Sequence, residues 1–138
     1  MGELIAYAES LGLRIVSWDL GPKGGYLYPG GIVALNVRHN VLAQRVTLAH
    51  EIGHWIHGHD WTKDHRHQAR DETEADLYAA RLLISVDDYA RAEHIVGTHP
   101  SALAKELGVT RRLVLLRRRG LRAEAAARPD LFDQFDYA

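Results

Sequence analysis

Hydrophobic and polar residues are arranged in two different patterns along the chain. Through most of the sequence the apolar side chains recur every three or four positions, which is the spacing of an amphipathic helix. Nearer the N-terminus they form short runs between turn-forming Gly, Pro and Asp residues, which is the pattern of strands. The predicted helices are 4–11, 41–58, 71–84, 86–96, 101–107 and 110–119, and the predicted strands are 13–18, 26–28 and 32–37.

The order of these segments predicts an α+β fold. Pro29-Gly30-Gly31 lies between two strands and predicts a tight hairpin, so we expect a small, mainly antiparallel sheet of about three strands. Two central helices should pack on this sheet, with a helix-turn-helix-like segment near the C-terminus. The expected domains are a core at 1–97, a helical extension packed on it at 98–122, and a flexible acidic tail at 123–138.

Composition narrows the possible partners and cofactors. The 138 residues are 46% hydrophobic and carry a net charge of −1, which argues against a chain built mainly to coat nucleic acid or an anionic membrane. The chain contains no cysteine, so any metal must be bound by His, Asp or Glu. Its first twenty residues resemble neither a signal peptide nor a membrane span, and we therefore expect a cytoplasmic protein without a membrane partner.

The predicted helix 41–58 carries the segment His50-Glu51-Ile52-Gly53-His54, an H-E-x-x-H signature. Histidines four positions apart lie on one helical face, close enough for both imidazoles to bind one metal ion. A glutamate beside the first histidine can serve as general base on a water molecule that the metal activates. The five positions alone are a weak match, so the interpretation depends on a third ligand.

The predicted helix 71–84 supplies candidates for that ligand. Glu72 and Asp76 lie on its apolar face, where a carboxylate is costly unless it is paired or coordinates a metal. Glu74 lies roughly 200° around the helix from Glu72 and is expected to point away. We take Glu72 as the third ligand and Asp76 as the residue that orients a ligand histidine through its second ring nitrogen. The alternative is an amphipathic helix whose Glu72 is an exposed N-terminal charge.

Two segments of the chain resemble the ImmA/IrrE-type metallopeptidases. They are Arg45-Val46-Thr47-Leu48-Ala49-His50-Glu51-Ile52-Gly53-His54 and Glu72-x-x-Ala75-Asp76-x-Tyr78-Ala79-Ala80-x-Leu82-Leu83. The resemblance implies a gluzincin-like zinc endopeptidase with one zinc ion on His50, His54 and Glu72 and with Glu51 as the base. It also implies a protein substrate, typically the repressor of a phage, a mobile element or a stress response. Asp76 stands where the family usually has Asn, and Ile84-Ser85 replaces a common Met-Pro.

A rival protease class, the metzincins, is made unlikely by the sequence. Its longer motif needs a glycine where this chain has His57 and a third histidine where it has Asp60. It also needs a downstream methionine, and Met1 is the only methionine in the chain.

Several further residues are candidates for contacts around the site. His57 follows His54 by one turn and is a candidate to line the cleft. His59, His65 and His67 fall in the polar stretch 59–69, which is interpreted as a loop with solvated histidines, and the alternative is a role in transition-state stabilisation or extra metal binding. The strand with Tyr26 and Tyr28 is either an edge that pairs with extended substrate or plain sheet core. A tyrosine or Arg81 could hydrogen-bond the oxyanion, and the sequence does not select one.

The segment 101–116 has the spacing of a helix-turn-helix unit, followed by a strongly basic stretch. One interpretation is contact with DNA phosphates or an acidic partner, and the favoured one is a helical pair with a solvated arginine face. The candidate contact residues are Arg111, Arg112, Arg117, Arg118 and Arg119. The alternative function is therefore a DNA- or repressor-binding regulator, an anti-repressor that acts by binding, in which zinc is structural.

Overall fold

A computed structural model gives the structure of the chain and describes residues 1–59 and 65–128. The fold is α+β, which confirms the predicted class. The chain divides into two compact units, Met1–Ala79 and Ala80–Ala138. The elements are α1 Gly2–Ser10, β1 Arg14–Trp18, β2 Gly25–Tyr28, β3 Ile32–Asn36, α2 Val41–His57, α3 His65–Leu83, α4 Val86–Val96, α5 Pro100–Leu107 and α6 Arg111–Ala127.

The three strands form one mixed sheet in the order β1-β3-β2. The hairpin β2–β3 is antiparallel as expected, but β1 runs parallel to β3, so the sheet is not mainly antiparallel. The reason is the loop 19–24, which crosses the end of β3 before β2 begins. The buried side chain of Asn36 fixes that loop, because its amide donates hydrogen bonds to the carbonyls of Gly21 at 2.9 Å and Lys23 at 2.7 Å.

One face of the sheet packs against α2. Leu27, Val33 and Leu35 are buried on that face. Gly25 lies on the same face, and a Cβ atom there would lie 2.4 Å from Cγ2 of Thr47 on α2. Glycine at this position therefore lets the helix lie directly against β2.

The N-terminus and C-terminus of α2 follow standard capping chemistry. The Asn40 side chain accepts a hydrogen bond from the Ala43 N–H at 2.8 Å, and Gly58 ends the helix in the left-handed conformation with φ of 62°. This agrees with the predicted helix 41–58. In contrast, α3 begins at His65, so the prediction of a loop over 59–69 is wrong for residues 65–69. Residues 60–64 lie outside the described residues. The first turn of α3 is almost entirely polar, and it therefore lacks the apolar periodicity on which the prediction relied.

The helices α2 and α3 cross at a point where neither carries a bulky side chain. A Cβ atom at Gly53 would lie 2.9 Å from both Cα and the carbonyl oxygen of Ala75. Ala75 and its neighbour one turn on, Ala79, are fully buried. The small residues on the apolar face of α3 thus allow the close approach of the two helices.

The second unit contains α4, α5 and α6. Ser85 and Thr110 cap α4 and α6 by accepting hydrogen bonds from Asp88 N–H and Leu113 N–H. The helix α6 continues through Gly120 to Ala127, so the first residues of the predicted tail are helical. The acidic part of that tail, 130–136, lies outside the described residues. Within the described ranges, no helix is long and apolar enough to cross a membrane.

Replacing Gly53 by Ala should destabilise the first unit, since the added methyl group would overlap the backbone of α3. We expect a loss of about 1–3 kcal/mol in the free energy of unfolding, measured by urea denaturation. The matched control is Gly120→Ala, a helical glycine whose added Cβ would meet only the Arg117 side chain at 4.0 Å. That variant should gain about 0.5–1 kcal/mol from helix propensity. Equal effects of the two substitutions would contradict the close crossing.

Candidate metal centre

Three side chains of α2 point toward one side of the helix crossing. His50 and His54 are one turn apart, and their Nε2 atoms lie 3.0 Å from each other. Together with Glu51 they place one possible ligand atom each within 4.8 Å of one another. Helical spacing brings the two rings together, because residues i and i+4 share a face.

Glu72 of α3 completes the group across the helix crossing. Its Oε2 lies 2.9 Å from Nε2 of His50, and its Oε1 lies 3.0 Å from Nε2 of His54. The close approach at Gly53 brings this carboxylate within reach of both rings. Two imidazole nitrogens and a carboxylate, contributed by two helices, therefore meet at one point.

The geometry and chemistry of this group fit a zinc ion. Tetrahedral zinc with bonds of about 2.0–2.2 Å places its donor atoms roughly 3.3–3.6 Å apart. The gaps between the donors of His50, His54 and Glu72 are 2.9–3.0 Å, so they need to open by only a few tenths of an ångström. Two histidines and one glutamate are also a donor set typical of catalytic zinc.

The second ring nitrogen of His50 is held by Asp76. Nδ1 of His50 lies 2.7 Å from Oδ1 of Asp76, and this carboxylate fixes the proton on Nδ1, so Nε2 can present its lone pair. Burial alone would lower the pKa of His50, but the bond to Asp76 and the nearby charges of Glu51 and Glu72 outweigh it, and the pKa is raised.

The second ring nitrogen of His54 has a partner that the sequence did not indicate. Nδ1 of His54 lies 2.8 Å from Nδ1 of His59, whose Nε2 lies 3.1 Å from Oε2 of Glu74. The His59 side chain is only 4% exposed, so the expectation of a solvated loop histidine is wrong. Glu74 points away from the group of His50, His54 and Glu72, as expected, and instead reaches the His59 ring. The side chains of His65 and His67 lie outside the described residues.

The end of α2 explains the position of His59. The Gly58 N–H donates to the carbonyl of Trp55, and the His59 N–H donates to the carbonyl of His54 at 3.1 Å. This is a Schellman motif, which folds the chain back over the last helical turn. A histidine directly after the terminal glycine is the sequence feature that could have indicated the contact.

Burial governs the protonation of the two remaining groups on α2. Burial, together with the neighbouring His50 ring, lowers the pKa of His54 to about 4, so this ring is neutral and can act as a ligand. Burial raises the pKa of Glu51 to about 7, with His50 opposing the shift and Glu72 adding to it. Glu51 is 7% exposed, and its Oε2 has no hydrogen-bond partner among the described residues.

Two open clefts flank the strand β2 at this site. One has a volume of about 420 Å³ and is lined by Gly25, Tyr26, Glu51 and Glu72, among others. The other, of about 370 Å³, lies beside His54 and is lined by Tyr28, Trp55 and neighbouring residues of the strand and helix. Both clefts are large enough for side chains of a polypeptide.

The four residues predicted to contact a substrate or the oxyanion lie on three different elements, β2, α2 and α3. Tyr26 and Tyr28 extend from the sheet face opposite α2, where their rings are 4.6 Å apart. Nδ1 of His57 lies 2.8 Å from the carbonyl of Gly53, so this ring is held by the backbone of its own helix. Arg81 is exposed and belongs to the second unit. Tyr26, Tyr28 and His57 are not part of the convergent group of His50, His54 and Glu72.

Several arginines of the basic helix α6 are occupied within the second unit. Arg117 is buried and donates through Nε to the carbonyl of Ile84 at 2.8 Å. Arg118 donates to the hydroxyl of Tyr89 at 2.7 Å, and Arg111 donates to the hydroxyl of Ser101 at 2.9 Å. The arginines therefore serve partly to hold α4, α5 and α6 together. The other two candidates, Arg112 and Arg119, are exposed.

Comparison with known proteins identifies the family. The model of the family described as Peptidase_M78, IrrE N-terminal-like domain, matches residues 8–118, and this range includes every residue of the candidate metal centre. The chain belongs to this family. The resemblance to ImmA/IrrE-type peptidases is thereby confirmed. Comparison with curated proteins found no match.

A solved structure shows the same fold as this IrrE-like chain. The match is to a Mycobacterium tuberculosis transcriptional regulator with a TM-score of 0.64 and 16% sequence identity. It covers 86% of this chain and 41% of the other, so the chain spans about two-fifths of that protein's length. At this identity the similarity concerns the fold alone.

The raised pKa of Glu51 predicts how the metal-free protein responds to pH. The folded chain holds a proton on Glu51 between the ordinary value of 4.5 and about 7, so stability falls as pH rises through that range. The Glu51→Gln protein lacks this titration. Relative to that variant, the wild type should lose about 1–3 kcal/mol of unfolding free energy between about pH 5 and pH 8.

Urea denaturation in the presence of a chelator measures this difference. The control is Glu106→Gln, an exposed glutamate on α5, which should leave the pH dependence of the wild type unchanged. Parallel pH profiles for the wild type and Glu51→Gln would show that the carboxyl group is not perturbed in the folded chain.

Proposed function

We propose that the chain is a zinc-dependent endopeptidase that cleaves a regulatory protein. The observation that carries this proposal is the convergence of His50, His54 and Glu72, with the buried carboxyl group of Glu51 beside them. A purely structural zinc site is closed by four protein ligands, whereas a catalytic site has three and keeps one position open. Membership of the IrrE-like peptidase family supports the same function.

In this proposal His50, His54 and Glu72 hold the ion, and Asp76 keeps the His50 ring oriented. Zinc bound there supplies Lewis acidity, which polarises a carbonyl group and lowers the pKa of water. A neutral His54 ring and an ionised Glu72 are the forms that such binding requires. The ligands come from two helices, so the site exists only in the folded chain.

Glu51 is the proposed general base and acid. Its Oε2 is buried without a hydrogen-bond partner in the described chain, and it therefore retains the capacity to accept a proton. The pKa of about 7 lies near neutral pH, where a group can both take and return a proton. Glu51 accepts the proton of the attacking water and delivers it to the amine that leaves when the peptide bond breaks.

The substrate is proposed to lie extended along β2. This strand pairs only with β3 in the described sheet, and the Asn36 N–H donates to the carbonyl of Gly24. By the alternation of antiparallel pairing, the N–H and C=O groups of Gly25 and Leu27 then point toward the open edge. Both residues line the cleft that contains Glu51, so an added strand would pass the metal centre.

A repressor of a phage, mobile-element or stress-response system is the proposed class of substrate. Support comes from the family resemblance and from the protein of similar fold, which is described as a transcriptional regulator. Direct DNA binding is the less favoured alternative, because Arg111, Arg117 and Arg118 already bind partners inside the second unit. The candidates for contacts with the substrate are Tyr26, Tyr28, His57 and Arg81.

Three substitutions separate chemistry from metal binding. Glu51→Gln should retain one zinc ion per chain and lower the rate of peptide cleavage about 10²–10⁴-fold, since only the proton acceptor is lost. His54→Ala and Glu72→Ala should lose both zinc and cleavage, because each removes a ligand. Zinc content is measured by atomic emission. Cleavage is measured on an unstructured protein and on the repressor whose gene lies nearest to the gene of this protein.

The exposed Glu106→Gln variant is the control and should match the wild type in both measurements. Stoichiometric zinc in the Glu72→Ala protein would overturn the ligand assignment. Undiminished cleavage by Glu51→Gln would overturn the catalytic role, and equal regulatory effect of wild type and Glu51→Gln in cells would favour a protein that acts by binding alone.

A further inference from the structure

The contact between His54 and His59 has a consequence for the metal centre. We propose that His59 is a positioning residue, which holds the His54 ring in the tautomer that presents Nε2 to the metal. The inference rests on the zinc site of the proposed function and assigns to that site a residue outside its three ligands and Glu51. Its basis is the 2.8 Å contact between the two Nδ1 atoms.

The position of the protons follows from the hydrogen bonds. A metal on Nε2 of His54 leaves the single proton of that neutral ring on Nδ1. The lone pair on Nδ1 of His59, at 2.8 Å, accepts this hydrogen bond. His59 then carries its own proton on Nε2 and donates it to the carboxylate of Glu74 at 3.1 Å. Each donor along this path therefore meets an acceptor.

The surroundings of His59 hold it in this role. Its side chain is 4% exposed, and the Schellman turn after Gly58 fixes its backbone against the carbonyl of His54. A second carboxylate, Asp71, lies 3.5 Å from Nε2 of His59 and is itself buried. Two acidic groups therefore favour a proton on Nε2, which leaves Nδ1 as the acceptor. Asp76 acts on His50 directly, whereas Glu74 and Asp71 act on His54 through the His59 ring.

The positions of the protons on His54 and His59 also decide whether a second group of possible ligands can bind a metal at the same time. His57, His59 and Glu74 also place ligand atoms within 4.8 Å of one another. A metal on Nε2 of His59 would move the proton of that ring to Nδ1, so His59 would become a donor toward His54. His54 would then have to accept on Nδ1 and carry its proton on Nε2, where it could no longer bind zinc. The two sites exclude each other, and the chain should bind one ion.

Two substitutions of similar size test the hydrogen bond itself. His59→Leu removes the acceptor, and we expect the dissociation constant for zinc to rise about 10–100-fold in a chelator competition. His59→Asn places an amide oxygen near the former Nδ1 position, and it should remain within about threefold of the wild type. The control is His94→Leu, an exposed histidine on α4, and its affinity should also stay near that of the wild type.

Nitrogen-15 NMR of the zinc-loaded protein gives a readout that fold stability does not alter. The His54 Nδ1–H proton should be protected and visible in the wild type and in His59→Asn, and lost to exchange in His59→Leu. Wild-type affinity in His59→Leu, or an equal loss in folded His59→Asn, would overturn the proposal. A wild type that binds zinc with this tautomer and cleaves nothing would contradict the proposed function and leave the role of His59 standing.

Discussion

The close crossing of α2 and α3 is the contact on which the site depends. A side chain at Gly53 would overlap the backbone of α3 at Ala75, and the absence of one lets the two helices approach until a carboxylate from one reaches both histidines of the other. The H-E-x-x-H signature in this chain therefore contains its own packing requirement, because the fourth position of the motif is also the point of contact. The candidate metal ligands and the small residues at the crossing thus belong to one packing arrangement.

The two histidines at this crossing have hydrogen-bond partners on their second ring nitrogens, whereas the carboxyl group of Glu51 differs from them. His50 is held by Asp76, and His54 by His59 and the carboxylates behind it. Glu51 has a buried oxygen without a partner in the described chain. Burying an unpaired carboxyl group costs stability, and such costs are concentrated where a group must be available for chemistry. The fold holds the two rings proposed to bind the metal and leaves Glu51, the proposed general base, with an oxygen that has no partner among the described residues.

Sequence reasoning succeeded where periodicity carried the information. The helix 41–58, its glycine end and the shared face of Glu72 and Asp76 follow from the helical repeat, and the family resemblance agreed with them. It failed where the decisive interactions are non-local. The parallel pairing of β1 depends on a loop held by Asn36, and the first turn of α3 has no apolar repeat. The contact of His59 arises from a backbone turn, which composition does not reveal.

The claim that Glu72 joins His50 and His54 at one zinc ion is tested most directly by crystals of the zinc-loaded chain, with diffraction measured at the zinc absorption edge. We expect one anomalous peak per chain, about 2.0–2.2 Å from Nε2 of His50, Nε2 of His54 and an oxygen of Glu72. The fourth position should be free of protein ligands. A peak at His57, His59 and Glu74, or a peak at the two histidines with Glu72 turned away, would contradict this assignment.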